Sequence, residues 1–253
     1  YNNAFGYASL SAVTTGRENC AFGSQALLVN TADSNCAFGY LSGAANSTGT
    51  GNSFYGNASG GGCTTGARNT AIGASANAGT TGNDNTSVGH LAGYAISTGI
   101  RNSVIGAYAM DAMTTGDENT CVGYIAGSQL TTGSYNTAVG VGALYTQTTG
   151  NANTAIGYKA LENNSTGAYN TAVGTDALQA NTTGQRNTAV GFEALGDSNT
   201  TGNYNTAVGN RALRKNTGNY NTGIGDYALD QCTTGQQNTA VGAGGPLGGL
   251  TTG

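Results

Sequence analysis

The sequence predicts an all-β protein, a parallel β-solenoid built from about fifteen coils of 17 residues. Three observations predict this fold: a motif Asn-x-x-x-Gly that recurs fifteen times, 44 glycines among 253 residues, and a single proline. The period is too short for a helix-pair repeat, which needs roughly 33 residues. Asparagine, glycine and threonine are also poor helix formers. Short β-prone segments closed by glycine turns fit the period better.

The repeat length is nearly constant. Successive motifs start 17 residues apart in ten steps, 16 apart in three and 18 apart in one. We number the residues of a copy as places. Place one is the asparagine, and place seventeen is the residue directly before the next such asparagine. The copies begin at Asn2, Asn19, Asn35, Asn52, Asn69, Asn85, Asn102, Asn119, Asn136, Asn153, Asn170, Asn187, Asn205, Asn221 and Asn238.

Each invariant place has a physical reason, and each coil is predicted to hold two short strands and two turns. The place-one asparagines are expected to stack as an amide ladder, and the threonines as hydroxyl ladders. The place-five glycine is expected to end the strand in a backbone conformation closed to residues with a Cβ, and the glycine after Thr-Thr to do the same at the opposite turn. Proline is rare because each coil must donate amide hydrogens to its neighbour. The ladder residues singled out are Asn136, Asn153, Asn170, Asn187, Gly140, Gly157, Gly174 and Gly191.

Places three and four are both apolar in most copies, as in Ala155-Ile156 and Ala172-Val173. Adjacent strand residues point to opposite faces, and a strand that is apolar on both faces is usually covered on both. One face is therefore expected to fill the coil, and the other to pack against another chain. The alternative is that alanine, being small, faces water.

Composition excludes several classes. Collagen is excluded because it needs glycine at every third residue. A charge-driven disordered tail is disfavoured because only 8% of residues are charged. No apolar run approaches a membrane span, and a net charge of −4 offers no basic footprint for nucleic acid. We expect one repeat solenoid over 1–253, with a degenerate last copy at 243–253 that holds Pro246 and suggests that the chain, or its polymer, continues.

The repeats resemble known arrays. Asn136-Thr-Ala-Val-Gly140-Val-Gly-Ala-Leu144 resembles the head repeats of trimeric autotransporter adhesins, and more closely the Asn-Thr-Ala-Val-Gly arrays of phage tail-fibre and algal-virus proteins. The resemblance covers almost the whole chain. It implies a left-handed parallel β-roll, usually trimeric, with a role in surface attachment. The adhesin repeats are shorter, which predicts a longer loop here around places ten to thirteen.

Groups suited to catalysis or metal binding are few. A glycosidase needs two carboxylates on one face, and the nearest candidates, Asp117 and Glu118, are interpreted as a solvated turn. His90, the only histidine, belongs to a variable surface row at place six. Five cysteines without a Cys-x-x-Cys pair disfavour zinc and iron–sulfur sites. Cys20 and Cys36 are expected to stack, as buried thiols rather than a disulfide. No cofactor and no metal are predicted.

Two rows of tyrosine predict exposed aromatic stripes that could stack on sugars, contact a neighbouring chain or simply fill turns. The place-seventeen row, the candidate surface contact, contains Tyr135, Tyr169, Tyr204 and Tyr220, and the place-six row contains Tyr7, Tyr40, Tyr124 and Tyr158. Sequons that are expected to lie in an exposed loop begin at Asn46, Asn57, Asn163, Asn164, Asn181 and Asn199.

These features favour a non-enzymatic structural and attachment segment of an extracellular or virion fibre, a stiff rod that displays variable turn residues. The expected partners are further copies of the chain, as a homotrimer or filament, and a cell-surface glycan or receptor, with no nucleic acid and no membrane insertion. Alternatives are an ice-binding β-solenoid and a subunit of a filament-forming surface protein. A polysaccharide-cleaving enzyme is disfavoured because the carboxylate pair is missing.

Overall fold

A computed structural model describes residues 1–244, which form strands and turns and no helix. The chain divides into two compact units, 1–132 and 133–253. Strands of the first unit are β1 Asn3–Phe5, β2 Cys20–Phe22, β3 Cys36–Phe38, β4 Ser53–Tyr55, β5 Thr70–Ile72, β6 Thr86–Val88, β7 Ser103–Ile105 and β8 Thr120–Val122. Those of the second are β9 Thr137–Val139, β10 Thr154–Ile156, β11 Thr171–Val173, β12 Thr188–Val190, β13 Thr206–Val208, β14 Thr222–Ile224 and β15 Thr239–Val241.

Within each unit, every strand pairs in parallel with the strand of the next copy. Ala155 lies opposite Ala172, and Ala172 opposite Ala189, so equal places face each other across the ladder. The register survives the 18-residue step, because Thr188 still pairs with Thr206. The predicted parallel β-solenoid with one coil for each repeat is confirmed.

Each strand has one inward residue at place three, between outward residues at places two and four. Ala155 and Ala172 are fully buried, whereas Ile156 is 40% exposed. The idea that alanine faces water is therefore wrong, because the bulky residue of each pair takes the outer face. An apolar surface is left on the outside of the strands.

Only one strand forms in each coil, and the predicted second strand is absent among the described residues. Places seven, nine and seventeen adopt left-handed backbone, as at Lys159 (φ 55), Leu161 (φ 52) and Tyr169 (φ 60). Non-glycine residues take positive φ in only a few per cent of ordinary cases, so their recurrence breaks any extended segment here. The coils remain bonded at these places, because the Leu161 N–H donates to the Ala177 carbonyl at 3.0 Å.

Place five requires glycine for two reasons. Gly157 has φ +136, outside the range of residues with a side chain, and a Cβ on it would lie 2.5 Å from the Gly174 carbonyl oxygen. The turn glycine after Thr-Thr differs from the prediction, because Gly66 and Gly99 do not have positive φ. Close packing excludes a side chain there instead, since a Cβ on Gly99 would lie 2.5 Å from the Gly116 carbonyl oxygen.

The coil interior is filled by alanine at places three and eight and by leucine at place nine, such as Leu144, Leu161 and Leu178. At Gly43 and Gly60, which both occupy place nine, the ring of Phe54 at place three takes the space. Phe54 is fully buried, and a Cβ on Gly43 would lie 2.6 Å from its ring. Core volume is thus conserved between neighbouring coils.

Of the predicted degenerate last copy, 243–253, only Ala243 and Gly244 are among the described residues. Pro246 lies outside them.

Asn77 occupies the leucine place of its coil and is a point of weakness. Its side chain is fully buried, and neither its amide nitrogen nor its amide oxygen has a hydrogen-bond partner. Its left-handed φ of 47° is close to that of Leu144, 53°. Asn77→Leu should therefore stabilise the protein by about 1–3 kcal/mol, measured by chemical denaturation. The reverse change, Leu178→Asn, is the matched control and should destabilise; equal stability of Asn77→Leu and the parent chain would contradict this account.

Candidate interaction surfaces

The place-one asparagines form a buried ladder that closes each coil and joins it to the next. The Asn170 N–H donates to Oδ1 of Asn153 at 2.9 Å, and Asn170 Nδ2 donates to the Gly184 carbonyl at 2.8 Å. Oδ1 of Asn170 in turn accepts from the Asn187 N–H at 3.0 Å. Because each amide satisfies a buried backbone group on either side, this row is structural and is not available to a ligand.

Place twelve forms a second buried row, which sequence reasoning missed. Asn164 Nδ2 donates to Oε1 of Gln147 at 2.8 Å, and Asn181 Nδ2 donates to Oδ1 of Asn164 at 2.7 Å. The expectation of an exposed loop here is wrong. Four of the six sequon asparagines are fully buried, namely Asn46, Asn164, Asn181 and Asn199. Asn57 and Asn163 are exposed.

The threonine and serine hydroxyls of place thirteen form the third ladder. Ser165 Oγ donates to the Thr182 carbonyl at 3.0 Å, and Thr182 Oγ1 to the Thr200 carbonyl at 2.8 Å. The next residue, place fourteen, points to solvent, as at Thr166 and Thr183. In these pairs the first hydroxyl bonds to the next coil and the second faces solvent.

The outer face of the strands carries a continuous apolar row at place four in each unit. Its first members are aromatic and stack on one another, with ring centroids 4.8 Å apart for Phe5 and Phe22 and 5.2 Å apart for Phe38 and Tyr55. Later members are isoleucine and valine, and Ile105 is 46% exposed. None of the fifteen strands contains a charged residue.

The place-seventeen tyrosines lie on the surface, as predicted for an aromatic stripe. Tyr135 is 61% exposed and Tyr169 57%. Their neighbours stack in a column: the Tyr204 and Tyr220 rings are parallel, with centroids 4.9 Å apart. The Arg186 guanidinium lies 5.5 Å from the Tyr169 ring and 5.4 Å from the Tyr204 ring, and hydrogen-bonds to the Tyr204 hydroxyl. Ring faces inside this column are therefore already covered.

The place-six row is exposed but discontinuous, with Tyr40 at 51% and Tyr124 at 53% exposure. Its member His90 makes an edge-to-face contact with Tyr108, with ring centroids 5.3 Å apart. The Tyr108 ring in turn lies at right angles to that of Tyr124. The imidazole is thus part of a small aromatic cluster on the surface.

Asp117 and Glu118, the nearest carboxylates to a catalytic pair, each have a partner in the preceding coil. Oδ1 of Asp117 accepts from the Ile100 N–H at 2.8 Å, and Glu118 pairs with Arg101 at 2.6 Å. Among residues 1–244 there is no group of three or more histidine, cysteine, aspartate or glutamate side chains placed to hold a metal ion. The same residues contain no helix long and apolar enough to cross a membrane, and they form no enclosed pocket within either unit.

All five cysteines are free thiols. Cys20 and Cys36 are in-register neighbours, as predicted, but they are half-buried on the outer face rather than buried, and Cys36 Sγ lies 3.4 Å from the Tyr55 hydroxyl. Burial raises the pKa of Cys63 to about 11 and that of Cys121 to about 12. Burial and the neighbouring Cys36 raise the pKa of Cys20.

Thiol reactivity should follow this order. A raised pKa lowers the thiolate fraction, and the thiolate is the nucleophile. In native protein near pH 8, iodoacetamide should modify the half-buried Cys20 and Cys36, while Cys63 and Cys121 stay unmodified. Peptide mass spectrometry measures this, with guanidinium-unfolded protein as the control in which all five react. Labelling of Cys121 as fast as Cys36 would contradict the described burial.

Comparison with known proteins finds no family model, no curated protein and no solved structure that matches this chain. Proposals on function therefore rest on the geometry of its surfaces.

Proposed function

We propose that this chain is a structural and attachment segment of an extracellular or virion fibre, in which copies of the chain cover one another's outward apolar face. The observation that carries the proposal is the place-four row. Ile72, Ile105 and Ile156 are 42%, 46% and 40% exposed on faces whose strands hold no charged residue. Contiguous apolar surface of this kind marks an interaction site in soluble proteins.

A second copy of the chain is the partner that this face fits best. The row repeats once for each coil, so two parallel copies bring the place-four side chains of corresponding coils together over the whole length of a unit. The charged residues lie on the turns instead, where Arg68 pairs with Asp84 and Arg211 with Glu193. The charged turns cannot cover an apolar face, so the apolar face of a second copy is its partner. The resemblance of the repeats to trimeric adhesin heads and tail-fibre arrays supports a homotrimer at a surface.

The proposed role is mechanical rather than catalytic. In each unit the place-one asparagines bond every coil to the next, and the place-thirteen hydroxyls bond most of them. In the second unit the place-twelve amides add to this from Gln147 to Asn181. The side chains at places six, seven and seventeen vary between coils and point outward. Such an arrangement supplies rigidity from the invariant places and a recognition surface from the variable ones.

Charge on the outward face tests the proposal. Ile156→Lys combined with Val173→Lys should reduce the native particle to a 25.0 kDa monomer with an unchanged circular dichroism spectrum, because lysine cannot be buried unpaired in an interface. The matched control is Thr166→Lys with Thr183→Lys on the exposed turn, which should keep the native mass. Sedimentation velocity measures both. An oligomer that survives the Ile156 and Val173 changes would refute assembly through this face.

A second candidate function is ice binding, and one observation favours it. The outer face also carries a row of partly exposed threonines at place two, such as Thr137, Thr154 and Thr171, aligned beside the place-four row. A regular row of threonine side chains on a flat face of a solenoid can order water. Thermal hysteresis distinguishes the two functions: freezing-point depression by monomeric protein supports ice binding, and its absence leaves self-association as the use of this face.

A further inference from the structure

The place-seventeen column of the second unit contains one unfilled rung. Four consecutive coils are filled by Tyr169, Arg186, Tyr204 and Tyr220, and successive planar groups lie 4.9–5.5 Å apart. The coil before Tyr169 has Ala152 at this place, and the coil before that has Tyr135. A small residue therefore separates two exposed tyrosines.

The gap matches the thickness of one flat ring. Tyr135, Ala152 and Tyr169 share the left-handed backbone of this place, with φ of 62°, 54° and 60°. Parallel coils are about 4.8 Å apart, so the two tyrosine rungs are separated by about 9.6 Å. With the Tyr135 and Tyr169 rings in the parallel orientation that Tyr204 and Tyr220 adopt, a ring above Ala152 would stand about 4.8 Å from each tyrosine, close to the 4.9 Å that separates Tyr204 from Tyr220.

We propose that the slot over Ala152, between Tyr135 and Tyr169, binds one all-equatorial pyranose ring of a β-linked saccharide, of the glucose type. Such a ring has axial C–H bonds on both faces, so both faces can stack on aromatic rings, while its hydroxyls lie around its edge. An axial hydroxyl, as in mannose, disrupts one of the two faces.

The rim of the slot suits a hydroxylated edge. The phenol groups of Tyr135 and Tyr169 can donate and accept hydrogen bonds. Asn151, at place sixteen next to Ala152, is exposed, and its Oδ1 accepts from the Ser134 N–H at 2.7 Å, so its amide nitrogen is the remaining hydrogen-bond donor of the side chain. The slot is open to water on its outer side. A saccharide keeps its polar edge hydrated on that side, whereas an aromatic ring bound in the slot would leave its apolar edge in water.

The Tyr169 ring is already fixed on its far side. Arg186 lies 5.5 Å from it and has its other contacts with Tyr204. A cation over one face holds the ring in place, so the opposite face is presented toward Ala152 without loss of side-chain freedom on binding. Preorganised walls of this kind favour affinity.

Saccharide binding at this slot rests on the proposed function, because it would serve attachment, and it is tested on the isolated chain. Cellohexaose is titrated into the protein by isothermal calorimetry, with β-1,4-mannohexaose as the epimeric comparison. Cellohexaose should bind, and mannohexaose at least about tenfold more weakly. Ala152→Tyr fills the slot and should weaken cellohexaose binding by at least about tenfold. Tyrosine already occupies this place with the same backbone in Tyr135 and Tyr169, so the variant is expected to fold.

Gln237→Tyr is the matched control, because it adds a tyrosine to the same row beyond Tyr220 without filling the slot; its binding should equal that of the parent chain. No binding of cellohexaose to the parent chain, or equal binding to Ala152→Tyr, would overturn the proposal. Saturation by p-cresol without binding of cellohexaose would overturn it in favour of an aromatic ligand. Sedimentation of the same samples separates the two proposals, since a native oligomer that does not bind sugar rejects the slot alone.

Discussion

Gly157→Val should unfold its own coil and destabilise the second unit by at least about 3 kcal/mol. The valine side chain would have to adopt φ +136, and its Cβ would lie 2.5 Å from the Gly174 carbonyl oxygen and 2.7 Å from the carbonyl carbon. Both atoms belong to the backbone of the next coil, which cannot move without breaking the strand ladder. Thermal and guanidinium unfolding followed by circular dichroism measure the loss.

Gly142→Ala is the control for this result. Gly142 also has positive φ, +67, but it lies at place seven, where the nearest atom to an added Cβ is Cγ of Lys159 at 3.7 Å. Alanine is already present at this place as Ala58, with φ 52. The change should cost about 1–2 kcal/mol, less than the loss at Gly157. If Gly157→Val and Gly142→Ala had equal effects, glycine content alone, and not the place in the coil, would govern stability.

Asn170→Ala is expected to have the second large effect, a loss of about 2–5 kcal/mol. The side chain is fully buried. Its removal leaves the Asn187 N–H, now bonded at 3.0 Å, without a partner in the dry interior. The Gly184 carbonyl also loses its shorter hydrogen bond, at 2.8 Å, and keeps only the one from Asn181 Nδ2 at 3.1 Å. Chemical denaturation measures the change in the free energy of unfolding.

Asn163→Ala provides the comparison within the same pair of coils. The Asn163 side chain is exposed, and its backbone N–H bonds to the Gln179 carbonyl whatever the side chain is. The substitution should change stability by less than about 0.5 kcal/mol. If Asn170→Ala changed the free energy of unfolding as little as Asn163→Ala, backbone pairing alone would hold the coils together.

The sequence predicted the coil and its repeat because a fixed spacing of asparagine and glycine leaves few other arrangements. It also predicted the role of Asn170 and of Gly157, since amide ladders and a glycine-only backbone conformation are properties of single residue types. The outward apolar face followed from the Ala155-Ile156 pair, although which residue faces outward needed the structure.

Two features could not be predicted from residue type. Leucine has no preference for left-handed backbone, yet Leu161 and Leu178 adopt it, because inter-coil hydrogen bonds at place nine over-determine the conformation. Asn164 and Asn181 lie in sequons beside threonine, a pattern typical of exposed loops, but their amides form a buried row. In both cases the neighbouring coil, and not the local sequence, decides.

The unfilled rung at Ala152 is defined by the stacking of its neighbours and not by its own residue type. In the sequence, Tyr135, Ala152 and Tyr169 are one variable place among many. The parallel rings of Tyr204 and Tyr220 lie 4.9 Å apart, and the same spacing applied to Ala152 leaves room for one ring between the two tyrosines.

If copies of the chain cover the outward face of the strands, the unaltered protein must be an oligomer, and its native mass shows this. Sedimentation equilibrium across the micromolar range should give an integral multiple of 25.0 kDa, three copies for the trimer. A single 25.0 kDa species at every concentration, with the Ile105 and Ile156 rows left in contact with water, would contradict the account.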